Sequence, residues 1–205
     1  RQVCETCTEN EKINGIRMQK ILIATGNPGK AKEIIEALEG LSGAFEFLSL
    51  ADFDPVDDVE EDGTTFEANA ILKAKHFGSA LKIPAIADDS GFILDAFPDR
   101  FGVKTRRELE AKDDMEWMTK FLDIIEPLEN RRASFYCAMA YFDPLKNTEK
   151  AFLGTTQGEM MEFPQTPLEP GIPVSSVFLP DGLDEVYSAL TKEQKNKISH
   201  RGRAC

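Results

Sequence analysis

Several residue types and patterns are scarce in this chain of 205 residues, and each scarcity excludes something. There are only two histidines, His76 and His200, so a multi-histidine metal site is ruled out. Four cysteines are too few for a disulfide framework, and their scatter points to a reducing compartment. Cys4 and Cys7 form a lone C-x-x-C with no second Cys or His pair nearby. A zinc ribbon or finger needs four ligands at set spacings, so chance is the better reading here. No apolar run approaches the ~20 residues of a membrane-spanning helix. Basic residues are also in the minority, 24 Lys and Arg against 36 Asp and Glu, for a formal charge of −12. That balance argues against general binding to a nucleic-acid backbone, although nucleotide binding needs only a few local cations.

What is present suits a folded domain. The apolar fraction is 41% and includes 14 Phe, enough to build a core. Residues 1–17 are mostly polar and follow no sustained period. With no apolar h-region they are not a secretory signal, and Glu5, Glu9 and Glu11 argue against a transit peptide. They read as a flexible extension, an expression remnant, or translation from upstream of Met18, with one domain over 18–205. From Gln19 onward, strands and helices alternate. Strands are predicted at 20–25, 45–50, 83–87, 92–97, 133–142, 151–155 and 174–179. Helices are predicted at 29–38, at 64–81 with Thr64 and Glu67 as a capping box, at 108–125 and at 191–197. The four prolines of 163–173 mark a loop, and no closing helix is apparent after the last basic cluster. The fold class is α/β with a mixed sheet.

Five features carry chemistry. Thr25-Gly26-Asn27-Pro28-Gly29-Lys30 joins a strand to a helix. Small residues there allow close approach, the helix start offers free N–H groups, and Lys30 adds a charge, which together suit a phosphate. The same residues also make an ordinary strand-to-helix turn, and spacing alone does not separate the two. The loop 52–62 holds seven acids and no base. It is either a solvated face or the source of one ligand for a hard cation. Asp88 and Asp89 follow the apolar run 83–87 directly. At the end of a buried strand they would sit at the mouth of the sheet, where a metal or cationic partner should relieve their repulsion. One could hold Mg²⁺ while a carboxylate orients or deprotonates water; Asp-Ser-Gly is also a common turn. Lys73 lies on an apolar helical stripe, where it either snorkels or reaches an anion, with Asn69 on the same side. Finally, 195–203 gathers four cations and His200 in an acidic chain, as a surface patch or as a phosphate and purine contact.

Taken in order, ATGNPGK (24–30), EEDGTTFEANAILKAKH (60–76), IPAIADDSG (83–91) and KNKISHRGRA (195–204) resemble the inosine triphosphate pyrophosphatase family. The resemblance runs from about Gln19 to Cys205. It implies an elongated, two-lobed molecule with a long central mixed sheet flanked by helices and a cleft between the lobes. It implies Mg²⁺-dependent attack of water on the α-phosphorus of deaminated purine nucleoside triphosphates, releasing monophosphate and pyrophosphate. It further implies a homodimer; the acidic composition, for its part, suits a cytoplasmic protein that binds neither nucleic acid nor membrane. By position, Thr25, Gly26, Asn27, Pro28, Gly29 and Lys30 would hold the triphosphate, with Lys73 and Ser90 also on phosphates. Glu61 and Asp89 would hold Mg²⁺, Asp89 would accept the proton, and Asp88 would support it. Lys195, His200 and Arg201 would contact the nucleotide, the last two reading the base. This chain departs from the family pattern in three places. Gly171-Ile172-Pro173-Val174-Ser175-Ser176 stands where the family has Gly-Phe-Gly-Tyr-Asp-Pro, which exchanges an aromatic for Ile172 and an acid for Ser175. Pro98-Asp99-Arg100-Phe101 replaces a Gly-Gly-Ala-Pro turn, and the family's C-terminal helix is expected to be missing. The expectation is retained hydrolysis with shifted base choice. The competing readings are a nucleotide binder without turnover and a pyrophosphatase for another nucleotide.

Overall fold

A computed structural model describes residues 12–13 and 16–205, with side chains from Met18 onward. Strands β1 (Lys12–Ile13) and β2 (Ile16–Arg17) pair antiparallel within the stretch expected to be an extension. The Cys4–Cys7 motif lies outside the described residues. Among those that are described, Cys137 is buried and Cys205 exposed, and neither is bonded to another cysteine.

The main sheet begins where the sequence alternation does. Strand β3 (Gln19–Ile23) lies parallel to β4 (Phe45–Ser49) on one side and to β5 (Ala85–Leu94) on the other. β5, β6 (Arg132–Asp143), β7 (Thr148–Met160) and β8 (Phe178–Pro180) continue antiparallel, giving the order β4-β3-β5-β6-β7-β8. This is the mixed sheet the sequence predicts.

Side-chain alternation divides the sheet into two faces. Leu22, Ala24, Ala85, Ala87, Ala138 and Ala140 pack beneath helix α2 (Phe66–Leu81) through Ala70, Ala74 and Phe77. Small residues at these positions let the helix lie close to the strands. On the opposite face, Ile23, Cys137 and Met139 meet Ile34 of α1 (Pro28–Ala37), Leu38 that caps it, and Ala204 of α5 (His200–Ala204). The short helix α4 (Lys192–Ile198) precedes α5. Farther along β5 and β6 a second core forms around Phe92, Phe135 and Phe178, covered by Trp117 and Phe121 of α3 (Asp114–Ile125). The cleft lies between this lobe and the first.

Several predicted boundaries move, each for a local reason. The segments predicted at 83–87 and 92–97 are one strand, because β6 pairs with all of 85–94 and carries Asp88 and Asp89 through its middle. The acids are therefore within the strand, not at its end. Helix α2 is capped by Thr65, whose hydroxyl accepts from the Ala68 N–H at 3.1 Å, and not by Thr64. Asn69 explains the shift: it accepts from the Gly63 N–H and keeps that segment out of the helix. α3 starts at Asp114, because the Asp113 carboxylate caps the Glu116 N–H at 2.8 Å. β7 extends far beyond 151–155, since its alternate residues from Gly154 to Met160 are buried against the lobe. Residues 173–176 form a 3-10 turn, leaving β8 only three residues. A helix, α5, does form within the basic cluster. Ser199 caps it by accepting from the Gly202 N–H at 3.0 Å.

No helix among the described residues is long and apolar enough to cross a membrane. α5 reaches the sheet over Gly154, where an added Cβ would stand 2.0 Å from the His200 carbonyl oxygen and 2.8 Å from the Ala204 nitrogen. The Gly154→Ala variant is expected to lose about 2 kcal/mol of stability from overpacking and to lose activity, because α5 carries His200 and Arg201. A urea midpoint and turnover both equal to wild type would show that this close approach is not needed.

Candidate active site

The site is organised by the place where β3 stops. Its pairing with β5 ends at Ile23↔Ile86, while β5 continues eight residues to Leu94. Beyond Ile86 that edge of β5 is open, and its backbone donors are met by side chains. Ser90 N–H donates to Asp89 Oδ1 at 3.1 Å, and Phe92 N–H to Thr105 Oγ1 at 3.2 Å. A cavity of about 440 Å³ opens along this edge. Its lining includes the polar residues Asn27, Lys30, Glu61, Asp89, Ser90 and Arg201 and the apolar residues Phe92, Trp117, Phe135, Ile172, Pro173 and Val174.

The two adjacent acids point to opposite faces of the strand and do not meet. Asp88, buried, lies on the α1 face. Lys30 Nζ is 3.3 Å from its Oδ2, Ser90 Oγ donates to the same oxygen at 3.1 Å, and Arg201 Nη2 is 3.4 Å away. Burial raises its pKa, but Lys30, Arg201 and Lys73 outweigh this and hold the carboxyl well below the usual carboxylate range. Asp89 lies on the α2 face. Asn69 Nδ2 donates to its Oδ2 at 3.0 Å, and Lys73 Nζ lies 3.6 Å from its Oδ1. Here burial prevails over Lys73 and Lys30, so the pKa is raised. The sequence left open which acid takes a proton; the surroundings make Asp89 the more basic of the two.

Lys73 reaches anions and does not snorkel. Its ammonium bridges Asp89 and Glu61, whose Oε1 is 2.9 Å away. Burial would lower its pKa, yet Asp88, Asp89 and Glu61 raise it, so it stays charged. Of the acids in 52–62, Glu61 is the one that turns onto Lys73; Asp52 instead caps a turn through the Ser49 N–H at 2.7 Å. Two carboxylates that converge on one cation, next to space for water and ligand oxygens, are a donor set suited to a hard divalent ion. No cluster of three or more acidic, His or Cys side chains suited to a metal exists among the described residues. Ligand oxygens would have to complete the shell.

The segment 25–30 joins β3 to α1 and is held by its own side chains. Asn27 caps α1, its Oδ1 accepting from the Lys30 N–H at 3.1 Å and its Nδ2 donating to the Gly171 carbonyl at 2.8 Å. Thr25 Oγ1 accepts from the Asn27 N–H at 3.2 Å. Pro28 occupies the first helical position, where a missing N–H costs nothing. Thr25 and Asn27 thus shape the loop; Asn27 and Lys30 line the cavity, while Pro28 and Gly29 line the neighbouring hollow.

The basic cluster divides. Arg201 and His200 border the cavity. Lys195 does not: it faces a neighbouring hollow and pairs with Glu33 at 2.5 Å and Glu169 at 3.1 Å. Arg201 is held by Glu33 and by Ser90 Oγ, 2.9 Å from Nη2, and its Nε has no partner among the described residues. His200 is buried against Tyr187 and Phe135, and burial together with Arg201 lowers its pKa well below 6.5, so the ring is neutral. Its Nδ1 is likewise unpartnered among the described residues.

Sequence reasoning missed Glu33, Arg106, Arg107 and Trp117. Glu33, one turn after Lys30 on α1, was the most findable, by its i+3 spacing. Arg107 lies 3.5 Å from Glu61 Oε2 and borders the cavity. Trp117, on α3, lines the cavity, and its Nε1 has no partner among the described residues.

Such a cleft offers a ligand both charged groups and apolar surface. The chain belongs to the Ham1 family, whose model matches residues 21–205. It is similar to the dITP/XTP pyrophosphatase of Bacillus cereus, 38% identical over 91% of each chain. The dITP/XTP pyrophosphatase of Bacillus subtilis is also 38% identical, covering 92% of this chain and 94% of the relative. Among solved structures, the Staphylococcus aureus Ham1 protein superposes with a TM-score of 0.71 at 34% identity, and one from Coxiella burnetii with 0.73 at 32%. Each covers 91% of this chain and 94% of the other. The family resemblance read from the four sequence blocks is borne out.

Glu33 offers a test of the electrostatics. Burial raises its pKa, but Arg201 and Lys195 more than reverse this, leaving it below 4.5. A carboxyl depressed in the folded state adds stability above its unfolded pKa and loses it as pH falls through the folded value. Glu33→Gln is expected to cost on the order of 3 kcal/mol at pH 7. The gap to wild type should close as pH drops below 4.5. Urea unfolding at a series of pH values measures it, and a pH-independent gap would refute the ion-pair account.

Proposed function

We propose that this protein hydrolyses deaminated purine nucleoside triphosphates, of the ITP, dITP and XTP type, to monophosphate and pyrophosphate. The observation that carries the reading is a single cavity lined by Lys30, Arg201, Asp89 and Glu61 and also by Phe92, Trp117 and Val174, with Lys73 bridging the two carboxylates. It is supported by relatives named for dITP and XTP hydrolysis that match nearly the whole chain.

Within this reading, Lys30 and the first turn of α1 receive the phosphates, and Lys73 and Arg201 offset their charge. Glu61 and Asp89 would hold a divalent ion, taken to be Mg²⁺, which when bound shields the phosphate oxygens and polarises the phosphoryl group. Asp89 orients water and accepts its proton, a task its raised pKa suits. Asp88 stays ionised and keeps Lys30 and Arg201 aimed at the site. Ser90, whose hydroxyl donates to Asp88 and accepts from Arg201, fixes that pair in place and adds a phosphate contact. Neutral His200 and the Arg201 Nε, both unpartnered among the described residues, offer hydrogen bonds to a 6-oxo purine. Ile172 supplies a wall without a π face, so the aromatic edges must come from Phe92, Trp117 and Phe135. Lys195, tied to Glu33 and Glu169, acts by holding α4 against α1. A homodimer in the cytoplasm completes the reading; the first rests on the family resemblance and the second on the acidic composition.

Pyrophosphate release with Mg²⁺ from ITP, dITP, XTP, GTP, ATP and a pyrimidine triphosphate tests it. The deaminated purines are expected to exceed ATP in kcat/KM, and equal rates across the panel would place selectivity elsewhere. Binding without release from any of them would favour a nucleotide-binding role. Asp89→Asn should lower kcat by about 10²-fold or more through loss of the proton acceptor; near-normal kcat would reject that role.

A further inference from the structure

The peptide at Gly171 is held from both sides. Its N–H donates to Asp114 Oδ2 at 2.7 Å, and its carbonyl accepts from Asn27 Nδ2 at 2.8 Å. Asp114 opens α3 in one lobe, where Arg106 Nη1 lies 2.8 Å from its Oδ1; Asn27 caps α1 in the other. One chain of contacts therefore runs Arg106–Asp114–Gly171–Asn27 and across the cleft to the Lys30 N–H.

Gly171 is fitted to this place. Its φ is +80°, and a Cβ there would lie 2.4 Å from Asn27 Oδ1. The sequence Pro170-Gly171-Ile172-Pro173 leaves two backbone donors, since proline has none. Ile172 N–H is spent within its own turn, on the Glu169 carbonyl. The Gly171 N–H is thus the donor by which this tetrapeptide is tied to the rest of the molecule, and Asp114 is its acceptor. The residues that follow, Ile172 to Ser175, form one wall of the cavity.

We propose that Asp114 is a positioning residue for base selection: through Gly171 it sets the wall 172–175 at a fixed distance from the phosphate loop. This rests on the nucleoside triphosphate reading. A ligand anchored at Lys30 meets the base wall in a register that the clasp defines, so loosening the clasp weakens binding and selectivity while leaving Asp89 and Glu61 in place.

The test compares kcat and KM for ITP and GTP in the full chain and in Asp114→Ala, Asp114→Asn and Gly171→Ala. Asp114→Ala is expected to raise the ITP KM about tenfold and to compress the ITP-to-GTP ratio of kcat/KM, with kcat within about threefold of wild type. Asp114→Asn keeps an acceptor oxygen for the Gly171 N–H and should return KM to within about threefold. Gly171→Ala breaks the clasp from the other side and should reproduce the Asp114→Ala pattern; it decides the matter if Asp114→Ala does not fold. Wild-type KM and selectivity in Asp114→Ala or Gly171→Ala would overturn the proposal, as would Asp114→Asn being as impaired as Asp114→Ala. A wild-type protein inactive on every triphosphate would instead overturn the reading of the cavity.

Discussion

A buried carboxylate is tolerable only when cations and hydrogen bonds surround it, and Asp88 shows what that requirement does to a fold. To satisfy it, Lys30 comes from the phosphate loop, Arg201 from the last helix and Ser90 from the next position but one along its own strand. Three segments far apart in sequence are thereby fixed to one point. Arg201 brings Glu33 with it, and Glu33 brings Lys195, so α1, α4 and α5 are joined by charge as well as by the apolar contacts beneath them. With its own charge compensated, Asp88 leaves the opposite face of the strand to Asp89. That residue has one cation in direct contact and a neighbouring acid, Glu61, that opposes its ionisation. The difference between the two aspartates is one of surroundings.

Much of this was legible before the structure. The alternation of strands and helices gave the mixed sheet, because the period of apolar residues survives in β3, α1, α2 and β6. The four motif blocks gave the family and pointed to the cavity residues Lys30, Glu61, Asp89 and Arg201. What could not be read follows from long-range pairing. Asp88-Asp89-Ser90-Gly91 looks like a break between strands, since local composition favours a turn. Only the full ladder with β6 and the cations brought in from elsewhere allow those residues to stay extended. Lys195 lies in the basic cluster by sequence but faces away from the cavity, because α4 and α5 are separate helices that meet at Ser199. Trp117 carries no local sign of facing a ligand; its placement depends on where β5 and β6 carry the second core.

The departure at 171–176 also reads differently in three dimensions. As a string it loses an aromatic and an acid. In the fold it keeps a close-packed wall, as Pro173, Val174, Ser175 and Ser176 are all buried and the Ser176 hydroxyl donates to the Pro173 carbonyl at 2.8 Å. The segment has exchanged stacking for rigidity, with Phe92, Trp117 and Phe135 close by to supply aromatic surface.

The alternation along β5 has a consequence for how this site can change. Asp88 and Asp89 serve opposite faces because they are neighbours in a strand, and the ladder to β6 spans all ten residues without a bulge. A one-residue slip in that ladder would exchange the two carboxylates, turning the compensated one toward Lys73 and the other into Lys30 and Arg201. It would also turn Phe92 and Leu94 out of the second core. The placement of the two aspartates and the hydrophobic interior are therefore indexed to the same register. Insertions and deletions are closed to this strand, and its chemistry can vary only by substitution.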